Sequence, residues 1–341
     1  GSVTFDKTAP TLSSVGIASN NSTTTLAKAS NVVTLTFTAS ETIATPVVTF
    51  LSDGDAINNT SVTYVNASGT TWTAAYTAHA SDTDGSVTYS IAFSDSAGNA
   101  GTAVTSGSGS VTFDKTAPTL SSVGIASNNS TTTLAKVADV VTLTFTASET
   151  IATPVVTFQS GSAGITASVT YVNTSGNIWT AAYTANALDT EGSVTYSIAF
   201  SDSAGNAGTA ITSGGGSVTF DKTAPTVTFS PLNNATGVGR RADITITFSE
   251  AVRLINNNTL TDDNVDSLIT LSCGSVCGFD ATITHNARTI ITINPSATLP
   301  TIRYIYVAIG ATVEDYVGHA ITASDATFQT CKNNNVLPCA E

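Results

Sequence analysis

The 341-residue chain has no methionine, three histidines and four cysteines, all of the last beyond Ser272. Charge is scarce too: 10% of residues carry one, and 11 basic against 24 acidic side chains leave a formal net charge of −13. So few cations, outnumbered two to one, exclude a phosphate-coating surface and with it nucleic-acid binding. No apolar run approaches the ~20 residues of a membrane-crossing helix, and no basic segment followed by an apolar one opens the chain. Disorder is excluded in turn by an apolar content of 41%. The missing methionine, at position 1 as elsewhere, predicts a processed chain or a piece of something longer.

What is present is repetition. Gly-Ser-Val-Thr-Phe-Asp-Lys-Thr-Ala-Pro occurs three times, ending at Pro10, Pro118 and Pro225, at a spacing of about 107 residues. Val32–Phe50 is nearly copied as Val140–Phe158, and Ser86–Gly101 as Ser193–Gly208. A period this long marks whole domains in series, each with its own core. The expected units are 1–113, 114–220 and a divergent third, 221–341. Residues 1–6 match the last strand of a repeat whose body is missing.

Within a repeat the period is two. Val33-Thr34-Leu35-Thr36-Phe37-Thr38 alternates apolar and hydroxyl side chains, and only a strand puts those on opposite faces. Trp72, Ala74 and Tyr76 share one face, as do Val87, Tyr89, Ile91 and Phe93. Thr11–Ala18, Pro46–Leu51, Thr60–Asn66 and Val111–Phe113 complete about seven strands, separated by Asn, Ser, Gly and Asp clusters that favour turns. No stretch carries a helical apolar stripe. The expected fold is all-β, a two-sheet sandwich in each unit, with Trp72 and Trp179 in the cores. In the third unit Ile244–Glu250 answers Val33–Glu41, and Asp315–His319 answers Asp95–Asn99.

These residues carry a resemblance. The Asp-Lys-Thr-Ala-Pro junction, the Thr-Ala-Ser-Glu strand end and the Asp-Ser-Ala-Gly-Asn turn resemble the tandem immunoglobulin-like repeats of large bacterial surface adhesins. Phe248-Ser249-Glu250 and Asp315–His319 look like the Ig-like domains of S-layer and other exported bacterial proteins. The resemblance implies three Ig-like sandwiches in an elongated row, at a bacterial cell surface or outside the cell. It implies a non-catalytic stalk that gives reach and stiffness. At ~30 Å for a nine-residue strand, three units reach at least ~100 Å. Its partners would be neighbouring repeats of the same or adjacent chains and a host or surface ligand. A competing reading makes the third unit a carbohydrate- or protein-binding module, through the Ser272–Gly278 loop and Asn256–Asn258. Another makes the chain a filament subunit, its residues 1–6 inserted into a neighbour by strand addition.

Four cysteines allow three pairings. Cys273 with Cys277 and Cys331 with Cys339 is the expected one, each bond closing a short loop worth ~2–3 kcal/mol. A zinc site is the alternative, although spacings of four and eight without paired histidines fit zinc motifs poorly. Disulfides fit an oxidising exterior. Catalytic signatures are missing: His79 becomes Asn186 in the sister repeat, and His285 and His319 are expected in solvated loops. Lys28 and Lys136, candidates for a lysine–asparagine isopeptide bond, sit in turns expected to be exposed. Threonine rows such as Thr34, Thr36 and Thr38 are expected to be ordinary outward strand positions.

In an Ig-like sandwich the ends of the second and sixth strands meet the incoming linker at one pole. That topology brings Glu149 and Asp202 to Asp114, with Asp82 and Asp84 offered by the preceding domain. Asp189 and Glu191 likewise meet Asp221, Glu250 and Asp315. Carboxylates about 5 Å apart repel by roughly 3 kcal/mol per pair at an effective dielectric near 20, so such a cluster takes up protons, splays or binds a cation. Calcium, hard and tolerant of irregular oxygen ligands, is the expected ion, bound as in the junctions of cadherin-like proteins. The alternative is neutralisation by Lys7, Lys115 and Lys222, which follow the linker aspartates.

Overall fold

The computed structural model describes residues 1, 3–284 and 286–332. His285 and Cys339 lie outside them. Three apolar cores are formed, each drawing on one stretch of chain: Val15–Phe113, Ile125–Phe220 and Ile244–Phe328.

In the first unit β1 (Leu12–Ser19), β2 (Leu26–Ala27), β3 (Val32–Ala39), β4 (Val47–Ser52), β5 (Asp55–Ala56), β6 (Thr63–Ser68), β7 (Thr71–Thr77), β8 (Gly85–Ala92) and β9 (Thr112–Phe113) make two sheets, ordered β1-β3-β7-β6 and β2-β9-β8-β4-β5. The alternation read in β3 sets its two faces: Val33, Leu35, Phe37 and Ala39 are buried, while Thr34, Thr36 and Thr38 are not. Phe37 stands opposite Trp72 across the β3–β7 ladder. Trp72 and Trp179 are core residues, and Phe50 and Tyr76 pack with ring centroids 4.8 Å apart.

Nine strands replace the seven expected, because β2 and β5 are two-residue ladders too short to show a period; β9, expected as Val111–Phe113, is a two-residue ladder as well. Thr60–Asn66 begins three residues late, at Thr63. In β1 a register shift between Ser13 and Gly16, with Ser14 at φ 52°, forms a bulge. Beyond it the Ile17 N–H bonds to the Ser108 carbonyl, and the loop packs so closely that a Cβ on Gly107 would lie 2.4 Å from the Val15 oxygen. That approach explains the Ser-Gly run at 106–110. The second unit repeats this plan strand for strand.

The third unit keeps a four-stranded sheet (Val227–Ser230, Ile244–Phe248, Ile290–Pro295, Phe279–Ile283) against a three-stranded one (Ile269–Ser272, Tyr304–Ile309, Ser324–Gln329). It also holds one turn of helix, Asp262–Val265, continued as a 3-10 turn to Leu268, where no helix was expected. Four residues cannot show a stripe, and only Val265 is buried. The turn is held by its acids: Asp262 accepts from the Ile283 N–H and Asp266 from the Ala281 N–H, satisfying an edge strand. Cys273 and Cys277 form a disulfide across the Gly-Ser-Val turn. Cys331 is buried; its expected partner Cys339 lies outside the described residues.

Candidate metal centres at the domain junctions

Each linker proline is buried at the leading pole of its sandwich. The residue after it is pinned by a serine at a strand end. Ser40, Ser148 and Ser249 accept through Oγ from the N–H of Thr11, Thr119 and Thr226. Because a glutamate follows each serine, the pin also delivers Glu41, Glu149 and Glu250 to the linker. The third arm is the turn that opens with Asp95, after β8, and with Asp202 at the same place in the second unit. Asp95 accepts from the Asn99 N–H (2.8 Å) and side-chain amide (2.7 Å), and Asp202 is held identically by Asn206. The same asparagine amides donate to the carbonyls of Asp6 and Asp114, drawing the linker aspartate in.

Three trios of carboxylates result: Asp6, Glu41 and Asp95; Asp114, Glu149 and Asp202; Asp221, Glu250 and Asp315. Within each, one oxygen per residue lies within 4.8 Å of the others. Burial, followed by the like charges of their neighbours, pushes Asp114, Glu149, Asp221 and Glu250 above the usual carboxylate range. The Asn99 amide, foremost among its hydrogen bonds, holds Asp95 below it. Three oxygen donors at this separation, half open to water, suit a hard cation with an irregular shell.

Of the ten acids read from sequence, six thus fall into two trios and four do not. Asp82 turns into its own domain, accepting from the N–H groups of Asn58 and His79. Asp189 does the same with Thr166 and Asn186. Both are turn organisers, nearly without exposure. Asp84 and Glu191 stay beside the trios but face the linker. Each accepts the lysine N–H, of Lys115 and Lys222, and the next threonine hydroxyl, of Thr116 and Thr223. These two bonds, the hydroxyl's foremost, hold Glu191 below the usual range. The leading trio, Asp6, Glu41 and Asp95, was missed because the sequence reading sought carboxylates from two domains. The signal was there, since the same three landmarks recur.

Lys115 and Lys222 are turned away from their trios. Lys115 Nζ donates to the Asp82 carbonyl (2.6 Å), and Lys222 Nζ to those of Ala187 and Asp189 (3.0 and 2.7 Å), all in the preceding domain. His319, expected in solvent, is a member of the third site. Its Nδ1 lies 2.9 Å from Asp315 Oδ2, where Asn99 and Asn206 place an amide. His79 accepts the Ser81 N–H through Nδ1, a task that Asn186 performs for Leu188.

Two further residues join the domains. Asn21 donates one amide hydrogen to Asn31 of its own domain and the other to the Ala204 carbonyl of the next (both 2.9 Å). Lys28 Nζ reaches the Gly205 carbonyl at 2.5 Å. At the second junction Asn129 donates to Val317 and Lys136 to Gly318, each at 2.9 Å. The lysines expected to be exposed are therefore half-buried latches, and they engage carbonyl oxygens, not asparagine side chains. Left-handed glycines, Gly205 at φ 89° and Gly318 at φ 100°, leave room for the ammonium groups, which a Cβ would meet at 3.2 and 3.0 Å.

Residues 221–330 match the bacterial Ig-like domain family. No curated protein matches the chain. Among solved structures it is similar to the I-band fragment I67–I69 from titin at 11% identity, over 96% of this chain and 99% of that one, with a TM-score of 0.41. The mouse nectin-like molecule 4 ectodomain (Ig1–Ig3) is similar at 12% identity, over 90% and 95%, with a TM-score of 0.32. Among the described residues no helix is long and apolar enough to cross a membrane. The chain is a tandem of Ig-like β-sandwiches, and its third unit matches the bacterial Ig-like domain family.

Proposed function

We propose that the chain is a non-catalytic extender, part of the stalk of an exported bacterial adhesin or surface fibre. The observation that supports this is the junction. Two successive joints use the same linker, the same serine pin and the same asparagine–lysine latch, although the receiving third domain has diverged. Joints held by side chains from both domains restrict bending, and restricted bending is what a spacer needs. Small-angle scattering tests it: an extended particle with a narrow spread of lengths is expected, and a compact or widely variable one would sink the reading.

A second reading concerns the trios. Three times the fold gathers carboxylates, and at two of these places burial and mutual repulsion oppose ionisation while the nearby lysines are used elsewhere. Calcium at the ~10⁻⁴–10⁻³ M affinity of extracellular modules would relieve that repulsion and tie linker, strand end and turn together. Unfolding in millimolar calcium is expected to show a higher midpoint than in chelator; coincident curves in calcium and chelator would dismiss the ion.

A further inference from the structure

The third domain keeps the joint of its neighbours but not the rest of their surface. All five arginines of the chain, Arg240, Arg241, Arg253, Arg288 and Arg303, lie in it. The strand Ile244–Phe248 runs from Asp243 to Ser249, so the segment before it lies at the pole opposite the joint. There the Leu299 N–H donates to the Arg240 carbonyl, and Arg240 Nε donates back to the Leu299 carbonyl. The Cys331 N–H reaches the Val238 carbonyl, and the Thr330 N–H that of Arg303. Arg240, Arg241, Arg303 and Lys332 are thereby gathered with two acids, Asp243 and Asp280, on a chain of net charge −13.

Two grooves meet at this pole over Pro295–Thr298. One, of about 290 Å³, is lined by Arg240, Arg241 and Asn294; the other, of about 210 Å³, lies between the same floor and the Cys273–Cys277 disulfide. Asn294, Ser296 and Thr298 are exposed, and their side chains make no hydrogen bond among the described residues. The disulfide turn also borders the outer face of the three-stranded sheet, since Val276 bridges to Ser272 and Ser272 pairs with Tyr306. On that face stand Tyr304, 65% exposed, and Tyr306, with Val276 at 91% and Ile302 exposed as well. The corresponding strands of the first two domains turn only Ser86, Thr88 and Ser90, or Ser193, Thr195 and Ser197, outward.

We propose that this surface, from the tyrosines over the disulfide turn to Arg241, binds an acidic polysaccharide whose sugar rings carry carboxylates. A pyranose is apolar on its C–H face and polar around its rim. Exposed tyrosine rings suit the face, and the hydroxyls and amide of Ser296, Thr298 and Asn294 suit the rim. Arg241 offers a carboxylate its planar fork of donors, while Arg240 positions Leu299 and the groove floor. Charge selects the same ligand, because a polyanion is repelled by most of this acidic chain and drawn to its basic pole. Asn256–Asn258 folds back on Leu254, whose strand pairs with Val313, and takes no part. The site goes beyond the extender role and does not depend on it.

The test is calorimetric titration of the whole three-domain chain, in chelator, with oligosaccharides of galacturonate, mannuronate and hyaluronate. The methyl ester of each is the uncharged comparison, and polyglutamate the acidic one without sugar rings. At least one of the three is expected to bind, about tenfold more tightly than its ester and about tenfold more weakly to Arg241→Gln. Tyr304→Ala and Tyr306→Ala are expected to weaken it as well, and Tyr306→Phe to keep it. All four side-chain changes are at exposed positions and are expected to leave the melting midpoint unchanged. No binding of any of the three would overturn the proposal, as would an ester or polyglutamate bound as tightly as the acid sugar. Binding that survives both alanine variants would overturn the tyrosine platform and the proposal with it.

Discussion

At the residue scale the carboxylates decide the pH behaviour. Asp114, Glu149, Asp221 and Glu250 are raised in the folded state, which therefore holds their protons more tightly than the unfolded chain does. Their contribution is unfavourable at neutral pH and is relieved as pH falls through the raised values towards the unfolded ones. Glu149→Gln and Glu250→Gln are expected to raise the cation-free stability at pH ~7 by up to about 1 kcal/mol and to flatten its pH dependence between about pH 7 and 5. The same variants are expected to lose any gain from calcium. Melting curves in chelator across that range check both points. Glu191, held low, acts in the opposite direction and loses its stabilisation in acid. A second residue-scale prediction concerns Tyr76 and Tyr183, whose hydroxyls are buried without a partner among the described residues. Tyr76→Phe and Tyr183→Phe are expected to be neutral or to stabilise by up to about 1 kcal/mol, because a desolvated, unbonded hydroxyl is removed. Denaturant midpoints that fall would mean the hydroxyls have a role.

At the scale of elements, the strands were legible because burial on one face forces a period of two, and Val33 to Ala39 shows that period without interruption. The copied repeat then confirmed each element a second time. The two-residue ladders β2 and β5 and the Asp262–Val265 turn were not legible, since elements that short are set by tertiary contacts. Of the site, the linker aspartate, strand-end glutamate and turn aspartate could be read from their fixed places beside Pro, Ser and Gly. The inward turn of Asp82 and Asp189 could not, because an Asp-Thr-Asp sequence does not say which carboxylate caps its own loop. Ser148 was overlooked for a similar reason: its partner Thr119 lies far off in sequence. Ser148→Ala leaves the Thr119 N–H without its acceptor and frees the linker from the strand end. A loss of about 1 kcal/mol is expected for the second domain, with faster amide exchange at 117–120, and exchange unchanged there would show that the pin is dispensable.

For the whole molecule the question is how its joints bend. Asn21 and Ala204 are separated by almost two repeats of sequence, so nothing local announced their contact. Lys28→Met and Lys136→Met keep most of the aliphatic stem and remove the ammonium. They are expected to leave each domain's stability unchanged while widening the distribution of distances between spin labels on adjacent domains. A distribution as narrow as in the parent chain would assign the stiffness to the linkers alone, where buried prolines already limit rotation.

The parallel pairing of β9 with β2 has a mechanical consequence. Leu26 faces Thr112 and Ala27 faces Phe113, and flanking bonds run from the Thr112 N–H to Thr25 and from the Asp114 N–H to Ala27. On its other side β9 is laddered to Gly85 and Ser86. Tension transmitted through Asp114 pulls β9 lengthwise between two neighbours, so these bonds bear the load together and cannot be peeled away singly. A tug on one end of the row is then passed along to the next bead before any bead comes apart.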